Sequence, residues 1–212
     1  MRSIARICLR VVVGILVGSF ILITLAFLLF WFDPPISHPQ TIDNGIMQQC
    51  RQIGQMLVSY AVDNGRYPDG KTSTEVFQRL LDEGYCTDKL AFYVDLPGKV
   101  RPATDKLRPE NVGFDLTCCV DSSASAALPM VFLTGYKISY EPKAQAKPVN
   151  PPLWRTWSQW WNGRRTSSNP YIVVYYKNGD AHLLSASANG SIPNFIPADF
   201  DPKGKTYRQL TP

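Results

Sequence analysis

The sequence predicts an α+β protein: an N-terminal transmembrane helix, then a domain in which one amphipathic helix packs on a small antiparallel β-sheet. Three observations predict it. The run Val11–Phe32 contains no charged residue. Ile42, Ile46, Cys50, Ile53, Leu57 and Tyr60 recur at steps of four and three, the stripe of a helix that buries one side. Beyond residue 90, short β-forming runs alternate with turn residues and end in a hairpin signature, Asn178-Gly179.

The apolar run is long enough to span a bilayer. At about 1.5 Å per residue it reaches roughly 33 Å, against a hydrocarbon core of about 30 Å. Arg2, Arg6 and Arg10 precede it and Trp31 lies near its far end. The positive-inside rule therefore places residues 1–10 in the cytoplasm and everything beyond the span outside it. A cleaved signal peptide would carry a shorter apolar core and a small-x-small cleavage site; the run ends instead in Leu-Leu-Phe-Trp-Phe, which argues for a single-pass anchor in contact with the lipid bilayer. Gly14 and Gly18 form a small-xxx-small pair, a route to a homo-oligomer through close helix approach; two ordinary glycines of a membrane helix are the alternative.

Pro34-Pro35 ends the helix, because proline lacks the N–H donor and clashes with the preceding turn. Residues 33–41 read as a linker. The amphipathic helix follows, with Thr41 or Asp43 as cap and Asn64-Gly65 as the left-handed stop. Thr72-x-x-Glu75 is a capping box before a second short helix carrying Val76, Phe77, Leu80 and Leu81 and ending at Gly84. The strand candidates are Leu90–Val94, Val112–Thr117, Met130–Leu133, Lys137–Tyr140, Tyr171–Tyr176 and Ala181–Ser185, the last two joined by a type I′ turn. Residues 141–152 read as a loop. The outer domain is drawn as 42–200, with 201–212 as an extended, proline-containing tail.

The net charge is +5, with 22 basic and 17 acidic residues. Part of that excess lies in Arg2, Arg6 and Arg10, so the outer domain lacks a dominant nucleic-acid footprint and no nucleic-acid partner is expected. The two histidines, His38 and His182, argue against a histidine metal centre. No nucleophile elbow, phosphate loop or zinc motif occurs, and no enzyme activity is expected.

Cys8 lies on the cytoplasmic side, whereas Cys50, Cys86, Cys118 and Cys119 lie outside, where disulfides persist. Four cysteines allow three pairings. Because a bridge between neighbours closes a strained ring, the expected pairing joins Cys50 or Cys86 to Cys118 or Cys119, worth about 2–4 kcal/mol. Cys50 also sits on the apolar stripe, where a buried free thiol is the rival reading. Trp154, Arg155, Trp157, Trp160, Trp161, Arg164 and Arg165 form a dense cluster. It reads as an interfacial segment on the outer leaflet or as a docking patch for a protein partner, with a base-stacking surface as the remote form; tryptophans closing the core of a small sheet are the competing reading.

Several segments resemble the type IV pilin-like, G-type pseudopilin proteins of type II secretion. Cys50–Leu57 (CRQIGQML) with Tyr60–Pro68 (YAVDNGRYP) resembles their helix-to-loop segment, Lys177–Leu184 (KNGDAHLL) their late hairpin, and Pro109–Phe114 (PENVGF) a middle strand of some members. The likeness implies a pilin-like outer domain and a structural or interaction role in a secretion- or pilus-related envelope assembly, with envelope or secretion-machinery proteins as partners. The prepilin cleavage signal is missing, and Val11–Phe32 has no glutamate, so the likeness extends to the fold and not to membership of a fibre. The second functional reading is a membrane-tethered module that recognises an envelope protein or lipid through the tryptophan cluster. No cofactor is expected; because the family's late loop holds calcium, Asp199 and Asp201 are the candidate ligands, though two acids are few for a cation that takes six to eight oxygens.

Overall fold

The computed structural model describes residues 39–149, 171–187 and 189–212. One compact unit spans Pro39–Pro212. The expected span Val11–Phe32, Gly14 and Gly18, and the tryptophan–arginine cluster lie outside the described residues. Among the described residues no helix is long and apolar enough to cross a membrane.

Helix α1, Pro39–Asn64, is 26 residues long. It begins earlier than expected, inside the segment assigned to the linker. The helix takes in Pro39, so Thr41 and Asp43 fall within its range. Gly65, at φ +71°, turns the chain out of the helix. Ile46, Cys50, Ile53, Leu57 and Tyr60 are all buried.

Helix α2, Ser73–Asp82, is capped by Thr72, whose hydroxyl accepts from the Glu75 N–H. The Glu75 carboxylate reaches one residue further back than a standard box, accepting from the Lys71 N–H at 2.8 Å. Leu90–Val94, expected as a strand, instead contains a 3-10 turn, Lys89–Phe92. Asp88 starts this turn by accepting from the Leu90 N–H. The apolar alternation of Phe92, Val94 and Leu96 is real, but it serves burial against the core and not sheet pairing; Phe92 stacks on Phe77 with ring centroids 4.5 Å apart.

The main sheet is built from β1 (Phe114–Cys118), β2 (Pro129–Leu133), β5 (Tyr171–Tyr176), β6 (Ala181–Ser185) and β7 (Arg208–Leu210). Its order is β6-β5-β2-β1-β7, and each neighbouring pair is antiparallel. The fold is therefore α+β with an antiparallel sheet. Two residues each from β3 (Tyr136–Lys137) and β4 (Lys147–Pro148) make a separate ribbon, shorter than the strand expected at 137–140. The register between β2 and β5 slips between Pro129 and Val131, where the proline cannot donate to the ladder. The β5–β6 turn differs from the expected type I′. Only Gly179 takes positive φ, the Gly179 N–H bonds Tyr176 O, and the Tyr176 N–H bonds Asp180 O. That is a type I turn closed by a glycine bulge.

Residues set apart as a tail supply β7, an edge strand paired with β1. Adjacent strand residues point to opposite faces, and the sheet is covered on both. Tyr175 faces Gly54 of α1. Tyr176 faces the other way and donates to Phe195 O at 2.9 Å, while Phe132 meets the Phe195 ring edge-on. The C-terminal coil thus forms a third layer, which explains why β1 and β2 are buried along their whole length.

Candidate functional site

The chemistry-bearing side chains converge where β7 crosses the end of β1. Cys118, Thr117 and Leu116 pair with Arg208, Gln209 and Leu210. That register sets Arg208 beside Cys118, and its Nε donates to Cys118 Sγ at 3.4 Å. Its Nη2 donates to Gly70 O at 3.3 Å, tying β7 to the loop that leads into α2. A cleft of about 500 Å³ opens between that loop, α2 and β7. Arg66, Lys71, Arg79 and Arg208 line it with Asp69 and Glu75, so cations outnumber acids. Arg208 also borders a shallow groove of about 700 Å³ beside Tyr140 and Tyr207.

At the end of β1 two adjacent thiols meet. Cys118 is buried and Cys119 exposed, with their Sγ atoms 3.2 Å apart. Cys119 takes φ +64°, a left-handed conformation that costs a non-glycine residue roughly 1–2 kcal/mol. The hydrogen bond with Cys118, reinforced by partial burial, pushes the Cys119 thiol up to about 11; Arg208 pulls the other way. The chain after Cys119 is pinned: Lys177 Nζ donates to Ser122 O and Ala124 O at 2.8 and 2.6 Å, and Lys205 pairs with Asp121.

The expected long-range disulfide is not present. Cys50, Cys86, Cys118 and Cys119 are all free. Cys50 is fully buried and donates to Val131 O at 3.4 Å; burial pushes its thiol far above the ordinary range. Cys86 donates to Asp88 O at 3.2 Å, and burial raises it too. Cys50 of α1 gives its thiol to a β2 carbonyl and Cys86 to the nearby Asp88 carbonyl, and the short sulfur–sulfur approach falls on the neighbouring pair.

Behind Tyr136 and Gln209, which line the groove, lies a group that sequence reasoning missed. Asp115 on β1 has no exposed surface. Its Oδ2 accepts from Gln209 Nε2 at 2.7 Å, and the same nitrogen donates to Tyr136 O. Its Oδ1 has no hydrogen-bond partner among the described residues. Burial pushes the carboxyl up to about 7, opposed by the Thr134 and Gln209 side chains and by the Lys99 charge. Alternation in the sequence marks this run as a strand but cannot reveal that a C-terminal residue would cover its acid. Arg208 carried no signal either; only the Cys118-Cys119 adjacency pointed here.

Asp199 and Asp201 are exposed around buried Phe200, and Asp201 accepts from the Lys203 N–H. Among the described residues no group of three or more histidine, cysteine or acidic side chains could hold a metal. His182 lies exposed on β6 beside the Tyr176 ring. No protein-family model matches the chain, and no curated protein or solved structure matches it at a significant level.

Proposed function

We propose that this chain is a non-enzymatic, membrane-anchored, pseudopilin-like component of a bacterial envelope assembly, its outer domain acting as a structural or interaction part. The observation that carries the reading is the helix α1 laid against β2, β5 and β6 of an antiparallel sheet. It supports the likeness at Cys50–Pro68 because Cys50, Ile53, Leu57 and Tyr60 are buried on one side of a helix packed on a sheet. Gly54 lets the helix approach the Tyr175 ring, and Cys50 meets the backbone of β2. The uncharged run Val11–Phe32 precedes this helix in sequence and supplies an anchor. The groups in the cleft serve to hold elements together: Arg208 bonds Cys118 and Gly70, and Glu75 caps α2.

Membrane fractionation tests the anchor. The full chain should stay in the inner-membrane pellet after alkaline carbonate, and protease added to spheroplasts should digest the C-terminal domain. Release by carbonate, or a domain digested only after lysis, overturns the topology. Site-specific photocrosslinking from exposed positions of α1, such as Val62, should capture secretion or pilus subunits; their absence among the adducts overturns the assembly role.

A further inference from the structure

We propose that Cys118 and Cys119 form a redox-active vicinal dithiol, a modification site that closes to a disulfide by exchange with an oxidised dithiol or glutathione. Four features of the fold carry the proposal. The two sulfurs lie 3.2 Å apart, closer than ordinary van der Waals contact between sulfurs. Cys119 already holds a left-handed φ of +64° with its sulfur against that of its neighbour. Strained backbone of this kind points to function when the surroundings enforce it, and here they do: β7 holds Cys118 from one side, while Lys177 and Lys205 hold the chain that follows Cys119. The two thiols also differ in access. Cys119 is exposed and Cys118 is buried against Arg208, a division of labour between an attacking and a resolving sulfur.

The exchange balances as follows. Cys119 loses its thiol proton to solvent and its sulfur attacks the oxidant's disulfide, breaking that bond and releasing one thiolate. Cys118 then loses its proton, and its sulfur attacks the Cys119 sulfur and expels the second thiolate of the oxidant. Two protein thiols are oxidised, one disulfide is reduced to two thiols, and the protons taken up by the leaving thiolates equal those released. Arg208 Nε lies 3.4 Å from the resolving sulfur. A bridge between neighbours closes a strained ring, and strained or exposed disulfides are the readily reduced, labile ones. The product is a switch and not a staple, and it weakens the acceptor that holds Arg208 at the cleft.

The experiment uses the purified full chain in detergent, treated with oxidised glutathione, then alkylated and measured by intact mass and peptide mapping. The expected result is one internal bridge within the Cys118–Cys119 peptide, loss of two alkylation sites, and full reopening by millimolar reduced glutathione. Cys119→Ser should prevent bridge formation and leave no mixed disulfide at Cys118. Cys118→Ser should trap a stable mixed disulfide at Cys119. Cys50→Ser and Cys86→Ser should change neither outcome; if either fails to fold, alkylation kinetics of the parent, with Cys119 reacting first, give the same reading. A bridge from Cys119 to Cys50 or Cys86, or a mixed disulfide at Cys119 that Cys118 never resolves, overturns the proposal.

Discussion

Asp115 concentrates the cost of the β1–β7 junction in one carboxyl. In the unfolded chain it loses its proton near the ordinary 3.8, whereas burial in the fold holds the proton to about 7. Between those values the folded protein binds more protons, so stability is full below about pH 4, falls as pH rises toward 7, and levels off above. At about 1.4 kcal/mol per unit, the loss is of the order of a few kcal/mol. Asp115→Asn keeps an acceptor toward Gln209 and removes the charge. Urea unfolding should show the variant gaining on the parent by that amount between pH 4.5 and 8; a pH-independent difference contradicts this account. Gly54 is the second decisive residue. A Cβ there would overlap the Tyr175 ring, so Gly54→Ala should cost roughly 1–3 kcal/mol through overpacking. Tyr175→Leu should relieve most of that penalty in a double-mutant cycle. The sequence placed both residues correctly, Gly54 on a helix and Asp115 on a strand. What each meets comes from another part of the chain, and no local pattern encodes it.

Elements were legible where the deciding chemistry was local. The strands Tyr171–Tyr176 and Ala181–Ser185 match their expected bounds because a run of β formers, a glycine turn and a second run are contiguous. The α2 cap was legible for the same reason, and Thr72→Ala should lower stability by about 1 kcal/mol, measurable as a reduced melting temperature with helix content retained at low temperature. Strand β7 was not legible: three residues, Arg208–Leu210, carry no periodicity, and only pairing with β1 makes them a strand. The 3-10 turn at Lys89–Phe92 failed in the opposite sense, since alternation was present and a partner strand was not. Removing residues 208–212 should therefore do more than trim an end. It deletes the Arg208 bond to Cys118 and the Gln209 bonds to Asp115 and Tyr136, and it uncovers the β1 edge. The truncated chain should show early amide exchange in β1 while β5 and β6 stay protected; uniform protection across the sheet would show that β7 is dispensable.

At the scale of the whole molecule the question is whether the domain depends on the anchor proposed for Val11–Phe32. The buried cluster runs from Ile46 to Leu210 and includes residues of both helices, of β1, β2, β5 and β7 and of the C-terminal coil, with Ala181 and Leu184 of β6 packed against it. Both faces of the central strands are covered within Pro39–Pro212, by α1 on one side and by the coil around Phe195 on the other. A core closed on both faces needs no lipid to complete it. A fragment beginning at Pro39 should fold without detergent and unfold in one cooperative urea transition seen alike by circular dichroism and by tyrosine and tryptophan fluorescence. Its Asp115 pH dependence should match that of the full chain. On the reading proposed above, the run Val11–Phe32 then places and concentrates the domain at a surface, an effect on encounter rather than on folding. Aggregation of the fragment in the absence of detergent, reversed by lipid, would show instead that apolar surface of the head is completed by the membrane.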